Sequence, residues 1–180
     1  MSNVLIGIIG VILFIGLALA GASFVGPLVT EGNSQKNAAT ILNSLSQTAA
    51  SARIYRMRTG NYAPTSLTAV DTLVASGALA RRPQNPLVPA YHPVILNASG
   101  TLTGSPAYVV MSMGQSEQAR NACIEIEIQS NRNDRLNPSV MEQAVAFTSR
   151  ASLSSPGCHR TTTNGGASGA ANDYLAFFPL

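Results

Sequence analysis

No charged side chain occurs before Glu31: the chain begins MSNVLIGIIGVILFIGLALAGASFVGPLVT and remains uncharged for thirty residues. A helix from Val4 to Val29 would be about 39 Å long at the standard rise, more than the ~30 Å hydrocarbon thickness of a bilayer. A membrane span is therefore allowed. Ala18-Leu19-Ala20 has the small-residue character of a signal cleavage site, but no basic residue precedes the apolar run, as one would in a secretory signal. The first lysine is Lys36. An apolar start without a basic flank reads as one from which a charged leader has been removed. Gly7, Gly10, Gly16, Gly21 and Gly26 punctuate the run, and Gly16 with Ala20 forms a small-xxx-small pair of the kind that lets helices approach closely in lipid. Gly26-Pro27 predicts a break, since proline withdraws an amide donor and crowds the preceding turn. Part of 21–33 is accordingly expected to be non-helical in an assembled state, allowing it to lengthen under load.

Beyond Gly32 the pattern changes. Ala38, Ile41, Leu42, Leu45, Ala49, Ala52 and Tyr55 recur at three- and four-residue spacing, which predicts an amphipathic helix ending at Gly60. Thr65 can cap a short helix that turns Leu67, Val70, Leu73 and Val74 inward, with Gly77 as its C-terminal cap. Pro83, Pro86, Pro89 and Pro93 then impose an extended loop. Residues 105–113 and 123–130 read as strands. In the second, Ile124, Ile126 and Ile128 alternate with Glu125 and Glu127, predicting a sheet with one solvated face that carries both glutamates. Asn137-Pro138 starts a helix extending to about 150, residues 161–172 form a small polar loop, and YLAFF (174–178) is a strand paired inside the sheet. The expected fold class is α+β: a long N-terminal helix broken near Gly26-Pro27, then a head whose antiparallel sheet packs on the helix. The expected domains are 1–30 and 31–180.

Composition excludes several functions. A net charge of +3 with 11% charged residues and no basic block interleaved with aromatics argues against a nucleic-acid surface. Arg53, Arg56 and Arg58 read as a solvated helix face. There is no phosphate loop, nucleophile elbow or H-E-x-x-H pattern, and His92 and His159 are expected at the surface, so neither an enzyme nor a cofactor is expected. Cys123 and Cys158 lack metal-ligand spacing, and no metal site is expected; Asp173 alone would not hold calcium. In an exported chain the two cysteines form one disulfide, restricting the unfolded state by about 3–4 kcal/mol; in a cytosolic chain they would be buried thiols.

The long apolar helix, its extension ending at Gly60-Asn61-Tyr62 with Pro64, and the short helix ending at Gly77-Ala78-Leu79 before Asn85-Pro86 resemble the type IV pilin and pseudopilin family over the first half of the chain. The cysteine pair is similar to the disulfide that bounds the variable region of many type IV pilins, here 123–158, and the large head is more like the type IVb branch, which includes conjugative thin pilins. The resemblance implies a structural subunit of a bacterial surface filament used in adhesion, motility or DNA transfer. The subunit would be held in the inner membrane before assembly and handled by pilus machinery, and the filament could meet a surface receptor or phage. It further implies a processed, methylated N-terminus, whose identity with Met1 the sequence leaves open, and filament-core contacts by Met1, Leu5, Ile8, Ile9, Ile12, Leu13, Phe14, Leu17 and Leu19. The family glutamate at the fifth position is replaced by Leu5, so subunit alignment would rest on apolar packing. Two alternatives share these features: a single-pass anchored extracytoplasmic binding domain, and a pseudopilin of a secretion system.

Overall fold

Ala38, Ile41, Leu45, Ala49 and Ala52, at most 5% exposed, form the buried stripe on which the head is built. The computed structural model describes residues 2–97, 105–130, 155–162 and 171–180, with the helical backbone alone at 2–6 and 21–31. Met1, the expected helix at 138–150 and most of the 161–172 loop lie outside the described residues. Two compact units are present, Met1–Ser34 and Gln35–Leu180.

Helix α1 spans Ser2–Thr59. Its head half buries not only the apolar stripe but also Ser44, Thr48 and Ser51. Buried hydroxyls are tolerated because the helix itself accepts their protons: Ser44 Oγ donates to the Thr40 carbonyl (2.9 Å) and Thr48 Oγ1 to the Ser44 carbonyl (2.8 Å). The helix ends at Gly60, which takes φ +72° while its amide returns to the Arg56 carbonyl at 2.9 Å. Arg56 and Arg58 in the last turn complement the negative end of the helix dipole. The interruption expected at Gly26-Pro27 is absent, since α1 is continuous across both residues. Proline removes only its own amide donor, a local cost of about 3 kcal/mol, so helical turns established on both sides can carry the backbone through.

Helix α2 (Ala69–Ala75) buries Val70 and Leu73. Its cap position is Thr68 rather than Thr65, without a side-chain capping bond, and Leu67 is exposed instead of facing inward. Its exit is the one the sequence requires. Gly77 adopts φ +68°, its amide bonding the Val74 carbonyl and that of Ala78 the Leu73 carbonyl, each at 3.0 Å. The proline-rich segment that follows is irregular and is knitted to the sheet by Asn85. The Asn85 amide donates to the Ser112 carbonyl (2.7 Å), and its Oδ1 accepts from the Leu87 and Val88 amides.

The sheet has four antiparallel strands, β1 (Val94–Asn97), β2 (Pro106–Ser112), β3 (Gly157–Arg160) and β4 (Tyr174–Pro179), in the order β1-β2-β4-β3. The last strand is interior, as YLAFF predicts. Ile95, Val109, Met111, Cys158 and Ala176 share one core with α1 and α2, while Val94, Leu96, Tyr108, Val110, Leu175 and Phe177 form a second buried cluster. Both faces of the sheet are therefore covered, correcting the expectation of one solvated face.

That correction has a specific origin. Residues 123–130 are not a strand: helix α3 spans Glu117–Gln129. Ser116 caps it, accepting from the Ala119 amide at 3.1 Å, and Glu117 occupies its first turn. Ala119, Ala122, Cys123 and Ile126, all fully buried, are spaced i, i+3, i+4, i+7 and bury one helical face. This pattern and its cap outweigh the five-residue Ile–Glu alternation, which leaves Ile124 and Ile128 only half-buried. Glu125 and Glu127 are accordingly buried rather than solvated.

Candidate functional site

In the unit Met1–Ser34 the described side chains of α1 form an exposed apolar surface. From Ile8 to Leu19 nine large apolar side chains are between 49% and 73% exposed, with Phe14 and Leu17 the most open. At about 100° per residue these positions point in every direction around the helix axis. A helix with one buried stripe serves a globular core; one that is apolar all round is built for immersion in lipid or in other protein. Fully burying such a side chain stabilises by about 1.5–3 kcal/mol. The nine together represent on the order of 10–20 kcal/mol gross, after allowing for the area already covered. Gly7, Gly10 and Gly16 have open space where a Cβ would stand. Gly7 and Gly10 fall on the side of Phe14 and Leu17, so grooves alternate with ridges along that side, a surface suited to close helix contact. Among the described residues no helix is long and apolar enough to cross a membrane.

Of the residues predicted for a filament core, Ile8, Ile9, Ile12, Leu13, Phe14, Leu17 and Leu19 lie on this surface. The Leu5 side chain and Met1 are outside the described residues, and at Gly26 and Pro27 only the helical backbone is described. Val11 and Ile15 belong to the same surface and were missed. The reading selected the strongest residues, whereas an all-round apolar helix has no privileged face.

The second predicted feature is formed. Cys123 and Cys158 are disulfide-bonded with Cα atoms 5.4 Å apart, joining α3 to β3. Both are fully buried. The Cys158 amide donates to Glu127 Oε1, so a buried carboxylate and the disulfide fix the same strand. His159, expected at the surface, is 1% exposed and packs edge-on against Phe177, ring centroids 5.6 Å apart. Its outward reading failed because β3 itself was not foreseen in the four-residue Gly157–Arg160 segment.

Asp173 is buried and accepts from Ser112 Oγ at 2.6 Å, Asp71 pairs with Arg82, and among the described residues no cluster of three His, Cys, Asp or Glu side chains is placed to hold a metal. His92 lies half-buried near the Asp71–Arg82 pair. Burial, and secondarily the Arg82 charge, push its imidazole below the ordinary value of 6.5, with Asp71 opposing. Arg53, Arg56 and Arg58 are exposed as expected, though two are engaged. The Arg56 guanidinium lies 4.0 Å above the Tyr62 ring, and Arg58 Nη1 reaches the Gly77 carbonyl at 3.5 Å.

Compared with family models, curated proteins and solved structures, the chain finds no match.

Proposed function

We propose that the chain is a structural subunit of a type IV pilus-like filament on a bacterial surface, assembled through its apolar N-terminal helix. The observation that carries this reading is the uncovered apolar surface from Ile8 to Leu19, directed around the whole helix axis. Before assembly the helix resides in the inner membrane; the uncharged run from Val4 to Val29 has the length for it. Extraction by the pilus machinery then exchanges lipid for the same surface of neighbouring copies, so little apolar area meets water along the route. The disulfide of the head keeps an exposed domain intact outside the cell. The subunit carries out no catalysis and needs no cofactor.

Immuno-electron microscopy of material sheared from cells tests this. Helical fibres labelled for the chain are expected, stable in salt and dissolved by detergent. Chain recovered only as monomers in the membrane fraction would favour an anchored binding domain, which the same apolar helix would also suit.

A further inference from the structure

Near the C-terminal end of α1 and the start of β2 lies a cleft of about 210 Å3. Its lining grades from apolar to cationic. Ala52 and Ala63 are 5% and 3% exposed, Pro106 and Leu180 are half-buried, and Arg53, Arg56 and Tyr62 are exposed. The apolar groups therefore form the floor, and the two arginines with the tyrosine form the mouth. The Leu180 amide donates to the Ala107 carbonyl at 2.9 Å, which fixes that part of the floor beside β2.

The cations at the mouth are arranged for an anion. Arg56 and Arg58 lie in the last turn of α1, where the helix dipole favours positive charge, but Arg53 lies outside it. Arg58 is turned to the Gly77 carbonyl. Arg53 and Arg56, three residues apart, are surface neighbours on one helix, a spacing at which like charges repel. Among the described residues the ion pair formed is Arg82 with Asp71; neither cleft arginine is in one. The Arg56 guanidinium lies 4.0 Å from the centre of the Tyr62 ring. That contact restricts the side chain before any ligand arrives, so less freedom is lost on binding. A planar guanidinium matches a carboxylate through paired N–H donors. Ligand sites combine apolar walls for the body with a few charged groups that orient it.

We propose that this cleft binds a small organic carboxylate, with its apolar body on Ala52, Ala63, Pro106 and Leu180 and its carboxylate between Arg53 and Arg56. The volume is below the ~300–1,000 Å3 of drug-sized sites, so the body is no larger than about one ring or a short chain. The site belongs to the unit Gln35–Leu180 and stands apart from the filament reading.

The test is a titration of the full-length, detergent-solubilised chain with sodium benzoate, read from the methyl NMR signals of Ala63 and Leu180. Benzamide supplies the same shape without the charge, inorganic phosphate supplies charge without the body, and Arg53→Gln/Arg56→Gln removes both cations from the mouth. Ionic strength is held constant, and unchanged Leu45 methyl signals report a folded head. For a ligand of about nine non-hydrogen atoms a dissociation constant of about 1 mM is expected. Benzamide, phosphate and the double variant should each weaken binding by about tenfold or more. No saturable shift up to about 20 mM benzoate would overturn the site, as would a double variant or benzamide that binds as tightly. Phosphate binding as tightly as benzoate would reduce the cleft to a bare cation pair and overturn the assignment of an organic ligand. None of these outcomes alters the filament reading, which sheared material tests separately.

Discussion

Replacing Cys158 with serine isolates the restraint that holds α3 to the sheet. The bond closes a segment of sequence separation 35, for which the chain-entropy relation gives about 4 kcal/mol of stabilisation. The substituted hydroxyl would sit at a position with no exposure, and an unsatisfied buried hydroxyl costs a further 1–3 kcal/mol or so. For a head of this size about 1 kcal/mol lowers the melting temperature by roughly 2–4 °C, so Cys158→Ser should lower it by about 10–28 °C. The assay is thermal unfolding of the detergent-solubilised chain followed by near-ultraviolet circular dichroism, with Cys123→Ala/Cys158→Ala as the comparison lacking the buried hydroxyl. Both sulfurs are enclosed, so reductant added to the folded wild type should act slowly and reach the same lowered transition only after partial unfolding. A shift below about 3 °C in both variants would mean that α3 is held by its apolar face alone, and the reasoning from loop closure would fail.

Leu45, fully buried at the centre of the α1 stripe, should cost about 2–5 kcal/mol when truncated to alanine, read as a lower urea midpoint. Gly77→Ala has open space around the new Cβ but must hold φ +68°, so it should lose about 1–2 kcal/mol through backbone strain alone. His92 should make the head less stable as pH falls. Its imidazole is held below 6.5 when folded, so protonation favours the unfolded chain, and the stabilisation present above 6.5 is lost as pH falls through the lowered folded value. His92→Gln should therefore flatten the pH dependence of the melting temperature below neutrality.

The sequence disclosed most where one signal acted alone. Gly60 and Gly77 each sit just past an amphipathic stretch, and each adopts the left-handed conformation that ends its helix. Tyr174–Pro179 was legible as an interior strand because its aromatic residues had nowhere else to be buried. Competing signals misled. In residues 117–129 a visible period of two concealed a weaker-looking helical pattern built on alanines, which bury little area individually but pack α3 closely against β3. With α3 misassigned, Glu127 and His159 could not be recognised as interior groups, since their burial depends on the meeting of α3, β3 and Phe177. Strands β1 and β3, of four residues each, are too short for alternation to identify. The cleft lined by Arg53, Arg56, Tyr62 and Pro106 was illegible for a different reason: these residues meet only through the tertiary fold.

The claim that the surface from Ile8 to Leu19 is the assembly surface is tested most directly by Ile12→Asp. One aspartate at mid-membrane costs about 2.5–3.5 kcal/mol, which the remaining uncharged run from Val4 to Val29 can absorb, so membrane residence should survive. In a filament core the same carboxylate would be repeated in every copy and buried against apolar neighbours without a partner. The measurement is the amount of chain in sheared filaments relative to the membrane fraction, with the Cys123–Cys158 bond verified by mass spectrometry. The account predicts membrane-retained, disulfide-bonded chain and no filaments; filaments at wild-type yield would contradict it.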